Sequence, residues 1–291
     1  MPELSTSPPP QAASPTTSFR RRLVDLTWRF DPRVTAVVGS VWMTLRTRQR
    51  CLLRYEEGIW VHRYRDGVLV DVRPGSMTPA QQEREVRDVF LFDYVPQPGD
   101  TVVDVGAGVG SEVRVFSSLV GDLGRVVCVE ADPVAARCLR RTIAENDLTN
   151  VTVVEAALSG TSGSVWLELD DSSYISNRLG RDSGGIEVSS RTLGDLLDSL
   201  GSDPVALVKM NIEGAEGEVL DPAPAQLSRV QRLTVSCHDF RAHEHGCTWQ
   251  ATSAVVTASL TSAGYTMRTR LDDPRSWVRY YLYASRPASG A

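Results

Sequence analysis

The chain reads as an α/β fold, a mainly parallel sheet with helices on both faces, preceded by a smaller α/β cap. Three observations predict it. From Gly99 on, short apolar runs alternate with helical patterns, as in successive βα units. Residues 102–110, Val-Val-Asp-Val-Gly-Ala-Gly-Val-Gly, pass from an apolar strand pattern through a glycine cluster into a helical segment opened by Ser111 and Glu112. Twenty residues beyond Gly110, Glu130 ends the next apolar run, where a carboxylate can accept both hydroxyls of a ribose.

Composition narrows the class of protein. A chain of 291 residues, 42% of them hydrophobic, can bury a sizeable core. A net charge of -5 argues against a general polyanion binder, so nucleic acid is not expected as a partner. Cysteines at 51, 128, 138, 237 and 247 form no Cys-x-x-Cys pair, which fits reduced thiols in a cytoplasmic protein. Pro8-Pro9-Pro10 stands where an export signal needs an apolar core, and the longest apolar-leaning run, 34–45, is too short to cross a bilayer, so no membrane partner is expected.

Taken in order, residues 1–18 are rich in Pro, Ser and Thr and predict a disordered tail. Residues 19–98 form the cap and 99–291 the main domain. Residues 19–49 space Leu23, Leu26, Trp28, Val37, Val41 and Leu45 helically among many arginines. That pattern predicts an amphipathic packing helix; the alternative is a cap over a substrate pocket or the surface of a homodimer. Glu57-Gly58 and Asp66-Gly67 separate apolar runs at 51–53, 59–61 and 68–70, which predicts a β-meander. Residues 79–94 read as a helix closed by Pro96 and Pro98. In the main domain, strands are expected at 101–105, 125–130, 151–156, 205–210 and 232–237, and helices at 111–119, 133–146, 192–199 and 216–220. A last helix at 252–263 precedes a closing β pair at 265–270 and 277–284. Residues 170–185, dense in Ser, Gly and Asp and carrying Tyr174, suit a loop over the site or a surface excursion.

Several ionisable groups fall where the strands of an open α/β sheet end, which is where such sheets bind ligands. Lys209, Asn211, Glu213 and Glu216 close one strand and open the next helix, and charged groups on a buried strand are costly unless paired or used. His238 follows the 232–237 strand with a side chain suited to taking the proton of a hydroxyl. Cys237, His238, Asp239, His243, His245 and Cys247 crowd together, but their spacing fits no standard zinc pair and no metal is expected. Glu112, in the first turn after the glycine cluster, suits the helix dipole; it would repel a pyrophosphate there and favour a positively charged ligand.

The stretches Asp104-Val105-Gly106-Ala107-Gly108-Val109-Gly110, Val129-Glu130-Ala131-Asp132-Pro133, Ala156-Ala157-Leu158-Ser159 and Val208-Lys209-Met210-Asn211-Ile212-Glu213-Gly214-Ala215-Glu216 together resemble the FkbM family of S-adenosyl-L-methionine (SAM) dependent methyltransferases. The Lys-x-x-x-Glu-Gly-Ala-Glu block is the specific part of the resemblance, which spans residues 98–240. It implies a Rossmann-like class I methyltransferase fold, a seven-stranded sheet with the last strand antiparallel, and SAM as cofactor. It also implies O-methylation of a small polar acceptor such as a sugar or specialised metabolite.

Together with the residue readings, the resemblance assigns SAM contacts to Asp104, Gly106, Ala107, Gly108, Gly110, Glu112, Glu130, Ala131, Ala157 and Asn211. It assigns catalysis to His238, Glu213 and Lys209, and acceptor contacts to Glu216, Asp239 and Tyr174. The family usually has Asp at the position of Asn211, and Glu-x-His where this chain has Ser236-Cys237-His238. The residues alone do not separate an oxygen from a nitrogen acceptor. They also leave two rivals, an NAD-dependent oxidoreductase and a catalytically silent scaffold on the same fold.

Overall fold

The computed structural model describes residues 31–75, 77–168, 178–180, 185–221 and 223–286; the expected tail at 1–18 and Tyr174 lie outside them. The first element among the described residues is a helix, Pro32–Thr47, whose first turn is capped by Asp31: its carboxylate accepts the backbone N–H of Arg33 at 2.7 Å. Proline at the first helical position costs no hydrogen bond. Strands β1 (Leu52–Glu56), β2 (Ile59–Tyr64) and β3 (Gly67–Asp71) follow as an antiparallel meander, as the two X-Gly turns predict. Met43, Cys51, Tyr64 and Leu69 form the cap's own apolar cluster. On the other face of the meander, Ile59, Val61, Val68 and Val70 pack against Val109, Ala135 and Cys138 of the main domain.

The helix expected over 79–94 is shorter. Thr78 and Gln81 cap it reciprocally, it runs Pro79–Glu85, and it widens into a π turn over Val86–Phe90. It stops there because the carbonyls of Val89 and Phe90 are taken by the sheet, which donates the Tyr283 hydroxyl to one at 2.8 Å and the Thr234 hydroxyl to the other at 3.1 Å.

The main domain continues with β4 (Thr101–Val105), β5 (Arg125–Glu130), β6 (Val151–Glu155), β7 (Ala157–Leu158), β8 (Gly163–Glu168), β9 (Arg178–Gly180), β10 (Ile186–Arg191), β11 (Leu207–Met210), β12 (Arg232–Ser236), β13 (Thr266–Arg268) and β14 (Tyr281–Ser285). Seven of these make one sheet in the order β13-β14-β12-β11-β4-β5-β6, and β14 alone runs against the others. This is the seven-stranded, mainly parallel Rossmann-like sheet that the sequence resemblance implies, with helices Val113–Val120, Pro133–Glu145, Leu193–Ser199 and Ser253–Ser262 among its connections. Chain order reverses at β4, which lies between β5 and β11, so the ligand crevice of such a sheet opens at the C-terminal ends of those strands.

Three features depart from expectation. One is a second sheet, ordered β7-β10-β8-β9, in which β8 and β10 run antiparallel with Val165 opposite Val188; of the loop expected at 170–185, only 178–180 and 185 lie within the described residues. The last strand begins only at Tyr281, after a 3-10 turn over Ser276–Tyr280. A helix, Asp239–His245, follows β12 where none was expected. Among the described residues no helix is long and apolar enough to cross a membrane.

Candidate active site

A cleft of about 1700 Å³ opens at the reversal point. Its floor is the glycine turn after β4. Gly106 (φ 73°) and Gly108 (φ 56°) both hold left-handed backbone, which glycine adopts without penalty. A Cβ at Gly106 would lie 2.0 Å from the carbonyl oxygen of Asn211, so the turn and the end of β11 touch backbone to backbone. Gly106, Ala107 and Gly108 line the cleft. Gly110 does not: a Cβ there would meet Leu139 at 2.9 Å, so this glycine serves close packing against the Pro133–Glu145 helix rather than ligand contact.

Glu130 ends β5 facing the cleft. One carboxylate oxygen accepts the Gly108 N–H at 2.6 Å and the other the Asp132 N–H at 2.8 Å, so the side chain fixes the turn. Each oxygen has a second lone pair left for a ligand. Burial raises the Glu130 pKa above the usual carboxylate value. Ala131, Ala156, Ala157 and Leu158 give the same end of the cleft an apolar lining. Glu112 lines it further along; burial pushes its carboxyl up to about 7, with the Lys209 ammonium opposing and the Asp104 carboxylate adding to the rise.

Lys209 and Asp104 stand directly opposite in the β11–β4 register, so the pleat sends both side chains to the same face. The Lys209 Nζ lies 2.9 Å from the Asp104 carboxylate, donates to the Gly106 carbonyl at 3.1 Å and sits 5.2 Å above the centre of the Phe90 ring. Neither side chain of the pair is more than 1% exposed. Burial alone would lower the lysine pKa, but the Asp104 and Glu112 charges outweigh it and raise it. Lys209 is therefore a fixed cation under the glycine turn, which corrects the expectation of a catalytic lysine. Asp104 is its counter-charge and does not line the cleft, which corrects the expectation of a SAM contact.

The Glu-Gly-Ala-Glu block forms a tight turn after β11. Buried Glu216 accepts the backbone N–H of Ile212 at 3.1 Å and of Gly214 at 3.0 Å, and the Thr252 hydroxyl at 3.2 Å. Glu213 itself holds left-handed backbone (φ 57°), a strained state for a non-glycine residue, and Gln250 donates to its carbonyl at 3.2 Å. The turn places Glu213 on the wall of the cleft. There one carboxylate oxygen lies 3.2 Å from His238 Nε2 and the other 3.0 Å from the Arg241 guanidinium.

The second nitrogen of His238, Nδ1, is 3.3 Å from Glu216. Burial would lower the histidine pKa, yet the two carboxylates more than offset it and raise it to about 9. Near neutral pH His238 is thus an imidazolium held between two acids and has no lone pair for a proton, which corrects the expectation of His238 as base.

Glu216 and Asp239 do not line the cleft, which departs from the expectation of acceptor contacts. Asp239 accepts the N–H groups of Thr252 and Ser253, each at 3.1 Å, and the Ser253 hydroxyl at 2.5 Å, so it holds the start of the Ser253–Ser262 helix. His243 stacks on Tyr280, and among the described residues no three His, Cys, Asp or Glu side chains gather as a metal site. Arg241 was missed in the sequence. It lies one turn beyond His238, a spacing that signals a shared face only once the Asp239–His245 helix is known.

A mainly parallel sheet with one reversed strand, a glycine turn at the reversal point and an acid ending β5 make a Rossmann-like nucleotide-binding fold of the kind expected for a class I methyltransferase. The methyltransferase FkbM domain matches residues 104–267, and the chain belongs to this family of SAM-dependent methyltransferases. The 2-O-methyltransferase NoeI of Sinorhizobium fredii is 26% identical over 172 residues, which are 53% of this chain and 70% of that protein. Among solved structures, fibrillarin of Aeropyrum pernix, in complex with natively bound SAM, matches with a TM-score of 0.42 at 12% identity over 80% of this chain and 97% of that chain. A methyltransferase of Pyrococcus furiosus matches with a TM-score of 0.42 at 11% identity over 88% of this chain and 98% of that chain.

The residues present fit SAM. Glu112 and Glu130 line the cleft and suit a cationic sulfonium and ammonium, and Asn211, also on its wall, has a buried side-chain oxygen with no hydrogen-bond partner among the described residues. The alanine-lined end suits a flat apolar base. An NAD pyrophosphate would meet Glu112 at the helix start, and the family assignment sets the oxidoreductase rival aside.

Two predictions follow from the buried charges. Lys209→Met leaves Asp104 unpaired and lowers stability by about 3–5 kcal/mol, whereas Lys209→Met with Asp104→Leu recovers much of it, as urea unfolding would show. The raised His238 pKa contributes stability that is full below its ordinary value of 6.5, falls as pH rises, and is gone above about 9. The shift corresponds to about 3 kcal/mol. The difference in unfolding free energy between wild type and His238→Gln should therefore shrink from pH 6.5 to 9; a difference independent of pH contradicts the assignment.

Proposed function

We propose that the protein methylates a hydroxyl of a small-molecule acceptor at the inner end of the cleft, with Glu213 receiving the hydroxyl proton. The observation that carries this reading is the placement of Glu213: the residue lines the cleft, and its carboxylate is held by His238 and Arg241, which line it as well. Bound SAM supplies an electrophilic methyl group on a sulfonium.

The chain's part is to hold the acceptor oxygen in line with that methyl group and to take its proton. Positioning supplies most of the rate advantage in such a displacement. As the new carbon–oxygen bond forms, the hydroxyl becomes strongly acidic, so a carboxylate suffices as base even with two cations beside it. His238 and Arg241 then act as positioning residues: they fix both oxygens of Glu213 and leave lone pairs for the acceptor. The likeness to a 2-O-methyltransferase supports oxygen over nitrogen as the acceptor atom.

The test is incubation with methyl-labelled SAM and a panel of hydroxylated and amino compounds, followed by product analysis. Label on oxygen is expected. Glu213→Gln should lower kcat by about a hundredfold or more while binding of S-adenosylhomocysteine stays unchanged. Label on nitrogen, or a Glu213→Gln variant at the wild-type rate, contradicts the reading.

A further inference from the structure

We infer that the acceptor is amphipathic: its hydroxyl reaches Glu213 while an apolar body leaves the cleft along Val34, Val38 and Trp42. The inference rests on the methyl-acceptor reading above and adds the acceptor's chemical class. The first support is capacity. The cleft holds about 1700 Å³, against about 300–1,000 Å³ for a pocket that takes one drug-sized ligand. Room remains for an acceptor as large as SAM or larger.

The second support is the outer wall. Val34, Val38 and Trp42 are spaced four residues apart on the Pro32–Thr47 helix and so fall in one row on one face. All three line the cleft, yet they are 53%, 61% and 51% exposed. They are not the helix's packing residues: Met43, on another side, is fully buried in the cap's apolar cluster. A row of large apolar side chains left in water along the wall of a cleft marks a binding surface. Phe90, Phe240 and Trp277 add apolar surface to the same cleft that Glu213 lines. At the rim the Arg46 guanidinium lies 4.9 Å above the Trp42 ring. A wholly polar acceptor would bury only the inner groups and leave this row in water.

Val37, Val41 and Leu45 extend the exposed apolar arc of the same helix but do not line the cleft, which makes them a built-in control. The experiment titrates methyl, butyl, hexyl and octyl β-D-glucoside, each below its aggregation concentration, into the protein saturated with S-adenosylhomocysteine, and reads affinity by calorimetry. Affinity should rise by about two- to fourfold per methylene, the upper figure corresponding to about 0.8 kcal/mol per buried CH2. Val38→Asp should flatten that dependence and Val37→Asp should leave it intact.

Octyl glucoside binding no better than methyl glucoside overturns the inference. Equal flattening by Val37→Asp also overturns it and assigns the whole helix face to a protein partner such as a second copy of the chain. S-adenosylhomocysteine titrated alone separates the two readings. A protein that does not take it up sinks both the methyl-transfer reading and this inference, whereas uptake without chain-length dependence sinks only the inference.

Discussion

The site depends on one close approach, that of Gly106 to the carbonyl of Asn211, where the ends of two neighbouring parallel strands touch without a side chain between them. The Asn211 N–H donates to the Val105 carbonyl at 3.0 Å across the same seam. Under the seam lies the Lys209–Asp104 pair, whose ammonium also binds the Gly106 carbonyl. The turn is thus held from below by a lysine and from the side by Glu130, and its upper surface is left to form the floor of the cleft. A larger residue at position 106 would have to part the strands, so this contact fixes both the sheet and the shape of the floor.

The charges follow one logic. Each buried cation is matched by acids that face it: Lys209 by Asp104, and His238 by Glu213 and Glu216. A charge is tolerated in such surroundings only when it is paired. Two of the acids that line the cleft, Glu112 and Glu130, suit a positively charged sulfonium nucleoside better than a dinucleotide. Glu213 joins the two sets. It is strained in its backbone, clasped by two cations and still on the cleft wall, which is the arrangement expected where a fold stores strain for function.

Most of the fold was legible in the sequence because its signals are local. The glycine cluster, the X-Gly turns of the meander and the alternation of apolar strands with helices each follow from a few neighbouring residues. The site was legible as a set of residues and less so as roles. Lys209, Asp104, Glu216 and Asp239 carry the right chemistry at the right strand ends, but what they do is decided by partners far away in the chain, such as Asp104 for Lys209 and Ser253 for Asp239. The same holds for His238: an isolated histidine suggests a base, and only the two acids around it make it an imidazolium. On the Pro32–Thr47 helix the spacing read from the sequence picked out Val37, Val41 and Leu45, whereas the row beside the cleft is Val34, Val38 and Trp42, which only the tertiary structure shows.

The central claim is that this cleft binds SAM through the acid at the end of β5. Calorimetric titration with SAM, S-adenosylhomocysteine and NAD, on wild type and Glu130→Ala, tests it most directly. The account predicts that the two sulfur nucleosides bind the wild type, that NAD does not, and that Glu130→Ala loses both. NAD binding in place of SAM, or SAM binding untouched by Glu130→Ala, would contradict it.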